Sequence, residues 1–220
     1  DWIKTVGIDP PFYVAKTFNV DAQQTKIISY SLYGNNLKYF KHAVERVAEA
    51  KKHYSEWTVR VYVHKTSKSS LIKRLVDTGA QVFVVHDNAM RPGNAAGMFW
   101  RFLPLANESL SVMVKDIDDE IDKFDWLVQD LLQEQSRHKC FTGVWASPFP
   151  QSFVRGSSII KLKSCRVAFT ERDVQTCAVR MPYGADEVFM AKYAQVDTAK
   201  VHYAFFDVFS RIGWYFARSL

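Results

Sequence analysis

A run of apolar residues ends in four acids within five positions at Leu110-Ser111-Val112-Met113-Val114-Lys115-Asp116-Ile117-Asp118-Asp119-Glu120. The pattern predicts a buried strand that brings carboxylates to the edge of a sheet. Side chains alternate along a strand, so Asp116 and Asp118 should share one face while Ile117 packs on the other. Adjacent carboxylates repel each other, and Mg²⁺ or Mn²⁺ would relieve that repulsion and bring phosphates with it. The same spacing also fits a solvated acidic turn, so the pattern alone leaves both interpretations open.

Strand and helix periodicities alternate on both sides of this stretch. They predict strands at Lys26–Ser31, Trp57–Val63, Gln81–His86 and Cys140–Trp145, and helices from Leu37, over Ser70–Thr78, over Met98–Leu103, from Ile121 to Ser136 and over Asp186–Tyr193. Residues 1–25 show little periodicity and are interpreted as an irregular lead-in. This alternation predicts an α/β fold with a mostly parallel central sheet flanked by helices. Ligands of such sheets bind at the carboxyl ends of the strands, where the acids fall.

The whole chain fits one domain, residues 1–220, with no internal repeat or evident linker. It begins without Met, so we expect an excised domain or a processed product. No apolar stretch is long enough to span a membrane, which predicts a soluble chain. The net charge of +6 suits anionic partners, but the basic residues are scattered, so the charge is a weak indication.

Two further motifs are interpreted as uninformative. The three cysteines, Cys140, Cys165 and Cys177, are odd in number and form no C-x-x-C pair. We therefore expect neither a disulfide framework nor a structural zinc site. The simpler inference is that the chain belongs to a reducing compartment. Asn107-Glu108-Ser109 matches an acceptor for N-linked glycans. It directly precedes the predicted buried strand, and we interpret the match as a coincidence.

Known acidic patterns narrow the chemistry of the predicted strand end. An EF-hand loop needs Gly at its sixth position, where this chain has Ile121. An Asp nucleophile of the phosphatase type would follow the first strand, which here ends in Ser31-Leu32-Tyr33. The remaining match is the D-x-D arrangement of transferases that use nucleotide sugars.

Several motifs occur in the order found in glycosyltransferases of the GT-A fold. They are Ser31-Leu32-Tyr33-Gly34-Asn35-Asn36, Phe99-Trp100-Arg101-Phe102-Leu103-Pro104, Lys115-Asp116-Ile117-Asp118, Gly143-Val144-Trp145 and Gly184-Ala185-Asp186-Glu187. The chain resembles most the small glycosyltransferase domains that large algal viruses, the chloroviruses, encode to glycosylate their capsid protein. The similarity runs from about Ile27 to His202, and its strength lies in the order of the motifs.

The resemblance implies a Mn²⁺ or Mg²⁺ ion that bridges the diphosphate of a nucleotide sugar, usually UDP-linked. Asp118 would be the direct ligand, and Asp116 would contact the ribose or the metal through water, with Ile117 between them in the nucleotide site. A late His often completes the metal site in this family, and His202 is the matching candidate. A packed or exposed histidine remains the alternative.

The same resemblance assigns the other site residues. Ser31 and Leu32 would bind the base through their backbone, and Tyr33 would stack on it, unless Tyr33 is a core aromatic. Arg101 is a predicted catalytic residue as well as a substrate-binding one. It lies among aromatics and needs a partner, either one of the acids or the donor sugar and phosphate.

The remaining site residues come from two later motifs. Gly143 and Trp145 would form the floor of the sugar site. Asp186 is the predicted general base of an inverting enzyme or a ligand of the donor sugar in a retaining one. An acid at a helix start has a purely structural explanation as well.

The sequence thus predicts a metal-dependent glycosyltransferase that moves a sugar from a UDP-sugar to a glycan or glycoprotein acceptor, with neither nucleic acid nor a membrane span involved. The expected location is the cytoplasm, that of the host if the chain is viral, or the Golgi lumen if it is part of an anchored enzyme. One alternative is a metal-dependent nucleotidyltransferase, although the first turn lacks the Gly-rich basic loop. Another is a non-catalytic module that binds carbohydrate or nucleic acid through a basic, aromatic surface such as Arg211–Arg218, a segment that also fits a core helix.

Overall fold

The computed structural model describes residues 12–34, 37–87, 96–121, 141–145, 154–163, 165–177, 185–194, 201–205 and 217–219. The strands are β1 Phe12–Phe18, β2 Lys26–Leu32, β3 Thr58–His64, β4 Gln81–Asp87, β5 Ser111–Val114, β6 Phe141–Trp145, β7 Val154–Lys161, β8 Val201–Phe205 and β9 Ala217–Ser219. The helices are α1 Leu37–His53, α2 Ser69–Asp77, α3 Glu171–Cys177 and α4 Ala185–Ala194, together with a 3₁₀ helix at Ala96–Ala106. The predicted helix from Ile121 to Ser136 lies, beyond its first residue, outside the described residues, as does Cys140.

These strands form one mixed sheet in the order β1-β4-β3-β2-β5-β7-β6-β8-β9. The central strands β4, β3, β2 and β5 are all parallel to their neighbours in that group. β1 pairs antiparallel with β4 at one edge, and β7 pairs antiparallel with both β5 and β6. β8 is parallel to β6, and β9 is antiparallel to β8. The predicted α/β class with a parallel centre is confirmed.

The irregular lead-in predicted for residues 1–25 is wrong from Phe12 onward, because Phe12–Phe18 forms the edge strand β1. Most of its side chains are exposed, so its sequence carries no apolar alternation. The strand is formed by backbone pairing with β4, in which Phe12 lies opposite Asp87. A partner so distant in the sequence leaves no local pattern to find. The last strand, β9, likewise contradicts a continuous helix through Arg218.

The sheet is covered on both faces. Alternate residues of β2 enter different clusters: Ile27 packs with the 3₁₀ helix and α4, and Ile28 packs with α1 and α2. The first cluster is rich in aromatic rings, including Phe99, Trp100 and Phe189. A central strand buried on both faces explains the continuous apolar run of β2. No helix within the described ranges is long and apolar enough to cross a bilayer.

Cys165 is disulfide-bonded. The sequence predicted no disulfide framework, and this single oxidised cysteine was not expected from it. An odd number of cysteines does not exclude one disulfide, and a search for C-x-x-C finds only cysteines that are close in sequence. A disulfide can also join cysteines that folding brings together.

Lys161 at the end of β7 is a fully buried lysine. Its Nζ donates hydrogen bonds to the carbonyl oxygens of Asn107, at 2.7 Å, and Cys165, at 3.5 Å. Burial disfavours the ammonium form and lowers the pKa of Lys161 to about 8, against the opposing charge of Glu108. Lys161 therefore links the turn before β5 to the segment after β7, and its ammonium group loses most of its hydration in doing so.

We expect the stability of the wild-type protein to rise, relative to a Lys161→Met variant, as the pH increases from 7.5 to 9.5. The native pKa is lowered to about 8, so between that value and the ordinary lysine pKa the unfolded chain binds more protons than the folded one. Urea denaturation of both proteins at several pH values measures the difference, and staying below pH 10 avoids ordinary tyrosine titration. Parallel stability profiles for the two proteins would contradict the prediction.

Candidate functional site

The parallel strands β2, β3, β4 and β5 end at one edge of the sheet, and the candidate site lies there. The 3₁₀ helix is attached to this edge by a buried hydrogen bond of 2.9 Å, in which the Arg101 backbone N–H donates to Ser31 Oγ. The sequence predicted that the backbone of Ser31 binds the base of the nucleotide. The side chain of Ser31 has a second role, because its hydroxyl oxygen accepts the hydrogen bond from Arg101. Leu32, the last residue of β2, is buried in the cluster on the α1 side.

Arg101 lies between two carboxylates. Its Nη1 contacts Asp116 Oδ1, and its Nη2 donates to Asp186 Oδ2 at 2.8 Å. The Arg101 and Asp186 side chains are 9% and 5% exposed, whereas that of Asp116 is 36% exposed. The guanidinium therefore joins the 3₁₀ helix, the loop after β5 and the first turn of α4. The partner that a buried Arg needs is supplied by two acids at once.

The charges of this centre do not cancel. One guanidinium is shared by two carboxylates, and Asp118 adds a further carboxylate on the same loop. Asp186 also lies in the first turn of α4, where the helix dipole favours a negative charge. The ion pair with Arg101 gives Asp186 a structural role that competes with its predicted role as general base.

The acidic loop begins two residues after β5 ends at Val114. It is a turn, closed by a hydrogen bond from the Asp119 N–H to the Asp116 carbonyl at 3.2 Å. Buried Lys115 spans its base, because its Nζ donates to the Ile121 carbonyl at 2.6 Å. The backbone N–H of Lys115 donates to the Ser29 carbonyl at 3.1 Å and ties the loop to β2. The acids are thus fixed at the carboxyl edge by backbone contacts.

The side chains in this loop divide between the two faces of the sheet. Ile117 is buried in the cluster on the α1 side, and Asp116 turns to Arg101 on the other side. Asp118 is partly exposed, and Glu120 is exposed. Asp116 and Ile117 thus lie on opposite sides, as the alternation predicts, although the strand itself ends at Val114. That Asp118 shares the side of Asp116 stays a prediction.

The donor set of the loop can be compared with what a divalent ion needs. Within the described ranges, no group of three or more His, Cys, Asp or Glu side chains is placed to hold a metal alone. Mg²⁺ and Mn²⁺ are often held by one or two carboxylates and complete their shell with phosphate and water. Asp118 and the second oxygen of Asp116 fit that smaller requirement, provided that a diphosphate supplies the rest.

The backbone of His202 lies three strands away from β5 in the sheet. It lies in β8 opposite Thr142 of β6, and Thr142 lies opposite Ile160 of β7, which pairs with Met113. It is therefore level with the middle of β5 and separated from it by three strand spacings, roughly 14 Å. Its predicted part in a metal site stays a prediction, since its side chain lies outside the described residues.

Gly143 and Trp145 lie in β6, two strands from β5 in the sheet. Trp145 is the last residue of β6. β7 is antiparallel to both β5 and β6, so the carboxyl end of β6 is at the same edge as Asp116. The side chains of β6 lie outside the described residues, and their contribution to a sugar site stays a prediction.

Tyr33 packs closely against the start of the 3₁₀ helix. A Cβ placed on Gly97 would collide with the Tyr33 ring, so only glycine allows this approach. The Tyr33 ring meets Trp100 edge to face, with centroids 6.1 Å apart. Tyr33 is partly buried. It therefore packs in the core, as the alternative interpretation had it, and it also lies at the edge of the candidate site, where stacking on a base stays a prediction.

His64 and Trp100 were missed by the sequence analysis. Their rings stack at the end of β3, with centroids 6.1 Å apart and planes inclined by 13°. Both are buried, and neither His64 Nε2 nor the indole N–H of Trp100 has a hydrogen-bond partner among the described residues. His64 Nδ1 contacts Thr66 Oγ1 at 2.7 Å, and burial together with Lys65 and His86 lowers the pKa of His64. The signal available in the sequence was a histidine that ends a strand adjacent to β2.

The fold and this site define an α/β protein with a buried arginine–carboxylate centre at the carboxyl edge of its parallel strands. No protein-family model matches the sequence, and no curated protein matches it. A solved structure named "PaToxG Glycosyltransferase" is similar to this chain with 12% identity and a TM-score of 0.37. The match covers 64% of this chain and 55% of the other, so the chain spans about half the length of that structure. A likeness at this score does not define an activity.

Proposed function

We propose that this chain is a metal-dependent glycosyltransferase that moves a sugar from a UDP-sugar to a glycan or glycoprotein acceptor. The observation that carries the proposal is the anchored acidic turn at the carboxyl edge of the parallel strands. Arg101, itself paired with Asp186, holds Asp116 there, and the same turn carries Asp118. By the resemblance to GT-A enzymes, Asp118 is the candidate for direct metal contact, and Asp116 is its positioned neighbour.

Mn²⁺ or Mg²⁺ would be held by Asp118 with Asp116, and when bound it would neutralise charge that develops on the leaving diphosphate. Arg101 fixes the orientation of Asp116, because its guanidinium is itself anchored by Asp186. Because the ion pairs hold Asp116 before the donor arrives, this carboxylate would need little reorganisation on binding. Lys115 maintains the turn that carries both acids.

The other proposed contacts follow the edge of the sheet. Tyr33 and the backbone of Ser31 and Leu32 would bind the base, with Ile117 buried beneath the diphosphate site. Gly143 and Trp145 at the end of β6 would border the sugar. The acceptor class is a glycan or glycoprotein, and the resemblance to chlorovirus domains adds a viral capsid glycan as one case.

Asp186 has two possible functions in this proposal. As a general base it would take the acceptor proton in an inverting reaction, and as a sugar ligand it would serve a retaining one. In either case its 2.8 Å hydrogen bond to Arg101 must persist or be replaced, because an unpaired buried charge is costly.

Calorimetric titration with UDP, GDP and CMP, each with and without Mn²⁺, tests the proposal. We expect UDP to bind only with Mn²⁺, because the acidic loop repels a diphosphate unless a cation lies between them. We expect little heat from GDP or CMP in any arm, because the resemblance is to enzymes that use UDP-sugars. Equal binding of UDP without metal, or no binding in any arm, would refute it. Preferential binding of a nucleoside triphosphate with Mg²⁺ in an added arm would favour a nucleotidyltransferase.

A further inference from the structure

The tripeptide Asn107-Glu108-Ser109 forms an exposed turn between the 3₁₀ helix and β5. All three residues are exposed, although the strand that follows is buried. The chain enters the sheet only at Ser111, whose N–H donates to the Thr25 carbonyl at 2.7 Å. A buried strand directly after the motif argues against an accessible acceptor, and the exposure of all three residues removes that objection.

The backbone of this turn is anchored while its side chains face outward. The Asn107 carbonyl accepts from the buried Lys161 ammonium at 2.7 Å, and the Asn107 N–H donates to the Pro104 carbonyl at 3.2 Å. The Ser109 N–H donates to Asn107 Oδ1 at 2.9 Å. Asn107 is exposed, and this contact uses the oxygen of its side-chain amide, leaving the nitrogen uninvolved in it. A substituent on that nitrogen would displace no core contact.

A second observation concerns the compartment. Cys165 is disulfide-bonded, and disulfides persist in oxidising environments such as the lumen of the endoplasmic reticulum. The same Lys161 ammonium that anchors Asn107 also contacts the Cys165 carbonyl. The acceptor tripeptide and an oxidised cysteine thus belong to one structural unit. N-linked glycans are added in the compartment that forms disulfides.

We propose that Asn107 is an acceptor for an N-linked glycan when this chain enters the compartment that adds such glycans. A lipid-linked oligosaccharide is the co-reactant. A bond forms between the Asn107 amide nitrogen and C1 of the sugar attached to the lipid diphosphate. The bond from that C1 to the diphosphate oxygen breaks, the lipid diphosphate leaves, and the amide gives up one proton. The chain has no second Asn-x-Ser/Thr tripeptide, so one glycan is expected.

The glycan would not obstruct the candidate site. Asn107 precedes β5 and Asp116 follows it, so the two lie at opposite ends of that strand. β5 has four residues, which span about 13 Å. The proposal is independent of the proposed transferase activity, and either can fail without the other.

To test the proposal, residues 1–220 are expressed in secretory eukaryotic cells behind a cleavable leader. A carboxyl-terminal tail that carries a second acceptor tripeptide is added as an internal marker. Only chains with a glycosylated tail are counted, because the tail glycan proves entry into the lumen. Wild-type protein should carry two glycans, removable by peptide N-glycosidase. Asn107→Gln and Ser109→Ala should each carry one, and Glu108→Gln, the matched control in the same turn, should carry two. Wild-type chains that carry the tail glycan alone would overturn the proposal.

Discussion

Replacing Arg101 with Met is expected to lower the free energy of unfolding by about 3–5 kcal/mol, the range found when one partner of a buried ion pair is removed. Met has a similar length and retains much of the apolar packing, so the loss reports mainly on charge. The variant leaves Asp186 buried with no guanidinium, and Asp116 loses the same partner. Chemical denaturation of purified protein measures the change.

A second substitution separates the ion pair from simple packing. Adding Asp186→Asn to Arg101→Met removes the buried negative charge, so the double variant should be more stable than Arg101→Met alone. Lys73→Met is the control, because the Lys73–Asp77 pair has a similar 2.7 Å distance but lies on an exposed helix face. It should cost less than about 1 kcal/mol. An Arg101→Met effect as small as that of the control, or a double variant less stable than the single one, would contradict the assignment.

Replacing Asp118 with Asn is expected to weaken UDP binding in the presence of Mn²⁺ by more than about tenfold, or roughly 1.4 kcal/mol. An amide has a similar shape but no charge, and hard divalent cations prefer carboxylate oxygens. Asp118 is partly exposed, so the thermal unfolding temperature should change little. Titration calorimetry with and without Mn²⁺ measures the affinity.

Glu120→Gln provides the matched control, because it removes one acidic charge from the same loop at an exposed position. A simple loss of negative potential would affect both variants equally, whereas loss of a metal ligand would affect only Asp118→Asn. Asp116→Asn is a poorer choice, since it would also disturb Arg101. Equal binding by Asp118→Asn and wild-type protein would place the metal elsewhere.

Local patterns in the sequence determined the alternation of strands and helices and the position of the acids. The strands from Lys26, Thr58 and Gln81 and the helices α1, α2 and α4 occur where the periodicities predicted them. An amphipathic or doubly buried segment must place its apolar residues at the period of its own backbone, so its own sequence reveals it. The carboxyl-edge position of Asp116 follows from the same strand order.

Only the tertiary structure decided which charges meet. Asp186 is 85 residues from Arg101 in the chain, and nothing near either residue specifies the other. β1 has mainly exposed side chains and forms through pairing with β4, and Lys161 resembles a surface lysine until β5 and β6 enclose β7. These features depend on groups that folding brings together from distant segments. The sequence therefore determined the scaffold and the acids at its edge, and folding determined that Arg101 holds Asp116 beside the partly exposed Asp118.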